Sequence, residues 1–168
     1  MKIGKKIAVV FLIFLGVLFV VGALSPKTPE APYQILSVSD FPHSMSDRPA
    51  VIISIGKDKD HFFTFTILRE QVRQGFFASL PANIPIHPLS VYGFLNGPGV
   101  YITSTKHDTH ASFSINKIDQ GKKVAEITVS GRLLDSKDLK DFVDIPKVTL
   151  EIAGVNFDNL VKQIPVSK

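Results

Sequence analysis

The stretch ASFSINKIDQGKKVAEITVSGRL, residues 111–133, decides the fold. Ala111, Phe113 and Ile115 alternate with Ser112, Ser114 and Asn116. Asp119-Gln120-Gly121-Lys122 then turns the chain, and Ala125, Ile127, Val129, Gly131 and Leu133 alternate with Glu126, Thr128, Ser130 and Arg132. A period of two puts successive side chains on opposite faces of a strand. Two such runs around a polar turn predict an antiparallel pair with one buried face and one wet face.

The pattern extends in both directions. Towards the N-terminus, residues 33–38, 51–55 and 61–67 read as strands, the last two joined by the polar turn Gly56–Asp60 into a hairpin with a five-residue connection. Residues 91–95 and 100–103 flank Asn96-Gly97-Pro98-Gly99 and read as another hairpin. Between them, residues 69–74 are equally compatible with a short helix or a strand extension, and the three prolines of residues 81–90 require loop or edge. Towards the C-terminus, Val148, Leu150 and Ile152 alternate as a final strand, and residues 157–163 suit a short helix capped by Asn156. Eight or nine short strands predict an all-β domain over residues 33–168. The expected architecture is an antiparallel β-sandwich, Ig-like or jelly-roll-like, with a closed β-barrel as the alternative.

The N-terminus has another character. Residues 7–24, IAVVFLIFLGVLFVVGAL, carry no charge. As a helix they would span about 27 Å, close to the roughly 30 Å hydrocarbon core of a bilayer. Residues 1–6 form a basic stub with Lys2, Lys5 and Lys6, which places the N-terminus in the cytoplasm and the rest outside. Residues 7–24 therefore read as a transmembrane signal-anchor helix of a single-pass membrane protein, and residues 25–32, SPKTPEAP, as a stiff spacer. The β domain is then extracytoplasmic, and periplasmic if the cell is Gram-negative. The alternative is a signal peptide cut near Ala23, which would release a secreted protein.

This segment also explains the composition. The chain has 168 residues, 45% of them hydrophobic, and a formal charge of +4. Taking the three lysines of the stub from the 19 basic residues leaves 16 against 15 acids. A nearly neutral domain gives no support to nucleic-acid binding. The absence of Cys excludes disulfides and thiolate chemistry.

Motifs for chemistry are sparse. His107-Asp108-Thr109-His110 offers two imidazoles and a carboxylate, but in a strand His107 and His110 would face opposite ways, so a solvated loop is the preferred reading. Asp135, Asp138, Asp141 and Asp144 recur every three residues without the turning Gly of a calcium loop, and Leu139, Phe142 and Val143 make a small amphipathic helix the expectation there. Asp58, Asp60 and His61 suit a hairpin turn. No catalytic residue, cofactor or resident metal is expected, and no stretch resembles a known family closely enough to name one.

The adjacent pairs Phe62-Phe63 and Phe76-Phe77 each force one ring away from the inner face or into a second layer. Phe62, Phe76, Phe77, Ile84, Ile86 and Phe94 are therefore the candidate docking patch for a partner or an acyl chain. The expected function is that of a non-catalytic accessory, assembly or binding subunit of a cell-envelope complex, with a protein partner there. A small-ligand or lipid carrier is the alternative, followed by a metal-dependent enzyme.

Overall fold

The computed structural model describes residues 32–41, 48–81, 87–95 and 99–162. The basic stub, the apolar span, the possible cut near Ala23 and most of the spacer lie outside them, as do Ile84 and Ile86. Among the described residues no helix is long and apolar enough to cross a membrane.

Among the described residues, nine antiparallel strands form one sheet: β1 (Gln34–Phe41), β2 (Ala50–Asp58), β3 (His61–Leu68), β4 (Phe77–Leu80), β5 (Leu89–Leu95), β6 (Val100–Ile102), β7 (His110–Asp119), β8 (Val124–Asp135) and β9 (Phe142–Ala153). The spatial order is β1-β2-β3-β5-β6-β8-β7-β4, with β9 also on β8. This path ends at β1 and β4 without pairing them, so the sheet is open and does not close as a barrel.

Residues 111–133 behave as their alternation requires. Phe113 lies opposite Val129, and Ile115 opposite Ile127, all four fully buried. From β3, Phe63, Phe65 and Ile67 point into the same core. The rings of Phe65 and Phe113 meet at 5.9 Å, and those of Phe76 and Phe113 at 6.4 Å. One arm, β1-β2-β3-β5, thus packs its inner face against that of the other, β4-β7-β8-β9. Burial of such rings is the main stabilising term of the domain.

The β2–β3 hairpin is tighter than expected. Its strands continue through Gly56 and Asp58 past a bulge at Lys57, leaving a two-residue turn, Lys59-Asp60. A Cβ on Gly56 would lie 2.2 Å from the His61 carbonyl oxygen, so this close approach admits only glycine. Residues 69–71 form a single 3-10 turn, the short-helix alternative for that segment.

Residues 135–141 depart from the expected amphipathic helix. Residues 136–141 form a loop after the end of β8, and β9 begins at Phe142, six residues before Val148. The Asp135 carboxylate accepts from the Lys137 amide at 2.7 Å. That of Asp138 accepts from the amides of Lys140 at 2.9 Å and Asp141 at 3.3 Å. These local bonds compete with helical ones. Leu139 sits at φ 56°, a left-handed conformation that breaks a helix.

Helix α1 (Gly154–Val161) covers the outer edge of β1. Asn156 lies inside it rather than capping it, and its Oδ1 accepts from the Val38 amide at 3.0 Å. Asn159 Nδ2 donates to the Val38 carbonyl at 2.9 Å. Two side-chain amides thus stand where a neighbouring strand would. Phe157 and Leu160 are buried beneath the helix. Arg69 donates to the carbonyls of Asn159 at 2.9 Å and Leu160 at 2.6 Å and pairs with Asp40, placing a cation at the negative end of the helix. Burial draws the Arg69 pKa below its usual value, against the opposing pull of Asp40.

Candidate functional site

Strand parity holds a group of apolar side chains outside the core. On β3, Phe63 and Phe65 face inward, so Phe62 faces out. It lies opposite Phe94 on β5, and the two rings stack with centroids 5.0 Å apart. Phe94 in turn lies opposite Val100 on β6. A second row runs beside the first: Tyr92 opposite Ile102, Ile102 opposite Leu134, and Leu134 opposite Phe142. Tyr92 is 44% exposed and Phe142 39%, while Leu134 is fully buried. Together the rows form an apolar belt across β3, β5, β6, β8 and β9.

The belt has a definite position. Gln34 pairs with Gly56 and Gly56 with Phe62, so the described chain enters on the row of Phe62 and Phe94. Tyr33 fixes this entry, its ring 6.3 Å from that of Phe63 and 5.8 Å from Lys57 Nζ. The β2–β3 turn and the 136–141 loop lie at the same end, the latter tied to β6 by Ser136 N–H donating to the Val100 carbonyl at 2.9 Å. Leu139, 48% exposed, projects from that loop.

Charge at this end is balanced. Asp58 accepts from the amides of Asp60 and His61 at 2.8 and 2.9 Å and pairs with the His61 ring. The first of these bonds is the largest cause holding the Asp58 pKa below the usual carboxylate value, and Asp138 is lowered in the same way by the amides of Lys140 and Asp141. Tyr101, on the inner side of β6, has its phenol pushed up by partial burial and then by Asp135, Asp141 and Asp138. Arg132 lies 4.7 Å from the Phe142 ring centroid and 3.5 Å from Asp144, flanking the belt with a cation.

The expected patch is divided. Phe62 and Phe94 are brought together. Phe76 is buried against Phe113 and cannot join a surface patch, because it and Phe77 occupy opposite faces and Phe76 takes the inner one. Phe77 projects from β4, 65% exposed, on the other arm. Val100 and Ile102 join Phe94 and Tyr92 across the β5–β6 hairpin, whereas Leu134 and Phe142 are added only by the β6–β8 pairing, which no local pattern in the sequence announces.

The histidine cluster is a closed turn. His107 Nδ1 is 2.8 Å from Ser104 Oγ, and Thr109 Oγ1 both accepts from the Ser104 amide and donates to its carbonyl. His110 starts β7 opposite Arg132. Among the described residues no three His, Asp or Glu side chains converge as metal ligands, and His107, Asp108 and His110 are no exception. No family model matches this chain, and neither a curated protein nor a solved structure is significantly similar to it.

Proposed function

We propose that this chain is a membrane-tethered domain displayed outside the cytoplasm and acting by binding, as a non-catalytic accessory or assembly subunit of a cell-envelope complex. Its framework is a sheet doubled on itself as a β-sandwich, and residues 7–24 supply the tether. The observation that supports this reading is the set of aromatic side chains held outward by strand parity, Phe62, Phe94, Tyr92 and Phe142 at one end and Phe77 on β4. Exposed aromatics rimmed by polar residues mark interaction surfaces. Phe77, the most exposed of them, is the contact point for the protein partner. A tether adds effective concentration, so modest contacts suffice.

A carrier with its ligand held between the arms has less support, because Phe63, Phe65, Phe76 and Phe113 fill that space.

A photo-crosslinking residue at position 77 of the full-length chain, in its own membrane, tests the proposal. One recurring protein adduct is expected, lost when residues 7–24 are replaced by a cleavable signal. Adducts no different from those formed at exposed Ser79 would refute partner binding through Phe77.

A further inference from the structure

The belt raises the question of what covers it. We propose that its counterpart is the headgroup region of the bilayer, so that the domain lies on the membrane by the end at which its chain enters. This rests on the reading of residues 7–24 as an anchor.

The first argument is reach. Residues 25–31 separate the apolar span from Pro32, the first described residue. Seven residues reach at most about 25 Å fully extended. Gln34 is two strands from Phe62 and three from Phe94 in one row, or about 10 and 14 Å at the usual strand spacing. An anchored chain therefore holds the belt within about 40 Å of the bilayer even with the spacer fully extended, and a slack spacer lets it touch the lipid surface. Helix α1 packs further along β1, at Val38, and can stand clear of it.

The second argument is chemistry. Tyr92 is of the type enriched at the membrane–water interface, and the stacked Phe62 and Phe94 with Phe142 are of the type that interfacial segments sink below the headgroups. In the flanking loops Lys57, Lys59, Lys137 and Lys140 are matched by Asp58, Asp60, Asp135, Asp138 and Asp141. Near neutrality makes the contact apolar in origin. It is therefore expected on zwitterionic lipid and is expected to tolerate salt.

The test uses the lack of tryptophan in the sequence. Full-length Phe62→Trp, Phe94→Trp and Phe77→Trp chains are reconstituted into phosphatidylcholine vesicles, with or without bromine on the acyl chains near the headgroups. Flotation and circular dichroism establish anchoring and folding. At 62 and 94, at least twofold quenching by brominated lipid and a blue-shifted emission are expected, unchanged in high salt. At 77 no lipid quenching is expected. Chains that float and fold but show no quenching at 62 or 94 would overturn the inference and leave the anchor standing. Chains that do not float would overturn both. Emission at 62 and 94 that is blue-shifted but unquenched, and reverts on dilution into excess lipid, would assign the belt to a second copy of the chain and overturn the lipid contact.

Discussion

The apolar belt and the outer face of β7, β8 and β9 are both built from side chains that strand parity turns away from the core, yet they end in opposite chemical states. On the β7–β8–β9 face, Ser112 and Ser130 share a hydrogen bond of 2.7 Å, as Thr128 and Thr149 do at 2.8 Å. Asn116 donates to Glu126 at 3.1 Å and to Thr128 at 2.8 Å. These groups satisfy one another across the strands, and water completes the rest. The belt has no such option. Phe62 and Phe94 can stack, but their remaining surface gains only by leaving water. A hydroxylated sheet face is self-sufficient, whereas an aromatic one needs a counterpart.

The comparison can be broken most severely at its shared support. Phe113→Ala opens the core that positions both surfaces, and a loss of about 3–5 kcal/mol is expected for a buried Phe. Urea unfolding of the chain in detergent measures it, and an unchanged midpoint would show that the arms do not depend on this contact.

The belt itself comes next. Changing both Phe62 and Phe94 to Ser removes a stacked pair from a half-exposed site, at a cost of about 1–2 kcal/mol. Lipid contact, followed from a tryptophan at position 142, is expected to fall with it. Undiminished quenching there would mean that the belt does not act as a unit.

On the polar face, Thr128→Val removes two exposed hydrogen bonds whose other members turn to water, at a cost of about 0.5–1 kcal/mol. It leaves lipid contact at position 62 unchanged. A double-mutant cycle with Thr149→Val is expected to show a coupling of about 0.5 kcal/mol. Additive effects would mean that the hydroxyls act independently.

The smallest effect is on acid stability. Asp58 and Asp138 beside the belt, and Asp119 at the β7–β8 turn, have pKa values lowered below 3.8, chiefly by backbone amides. A carboxylate whose folded pKa is lowered contributes stability above its unfolded value and loses it as pH falls through the folded one. The thermal midpoint should therefore drop below about pH 4, and less in the triple Asn variant. Identical acid limbs would show that the three turns make no differential contribution.

Much of this fold was legible where the information is local. The alternation at 111–117 and 125–133 announced its hairpin, and the adjacent pairs at 62–63 and 76–77 required one ring of each to leave the inner face. Alternation with Phe65 and Ile67 placed Phe63 on one face, but at 76–77 nothing local revealed which ring would turn in, since that depends on the pairing of Phe77 with Ser114. The belt was half visible. Phe62 and Phe94 could be singled out, but Phe142 joins them only when Leu134 on β8 lies between β6 and β9. Residues 135–141 misled because an apolar stripe at helical spacing was outweighed by aspartates that bind their own backbone. The work of Asn156 was hidden for a similar reason, since its partner is the backbone of a strand 118 residues away.

That last separation has a consequence in time. The outer edge of β1 is among the first parts of the domain to be synthesised, yet one of the amides that seal it follows 118 residues later. At 5–20 residues per second, the edge waits on the order of 10 s for its cover. For that interval the nascent chain exposes a strand capable of pairing with a neighbouring copy. Its vulnerability to misassembly is concentrated in biogenesis and ends when α1 docks.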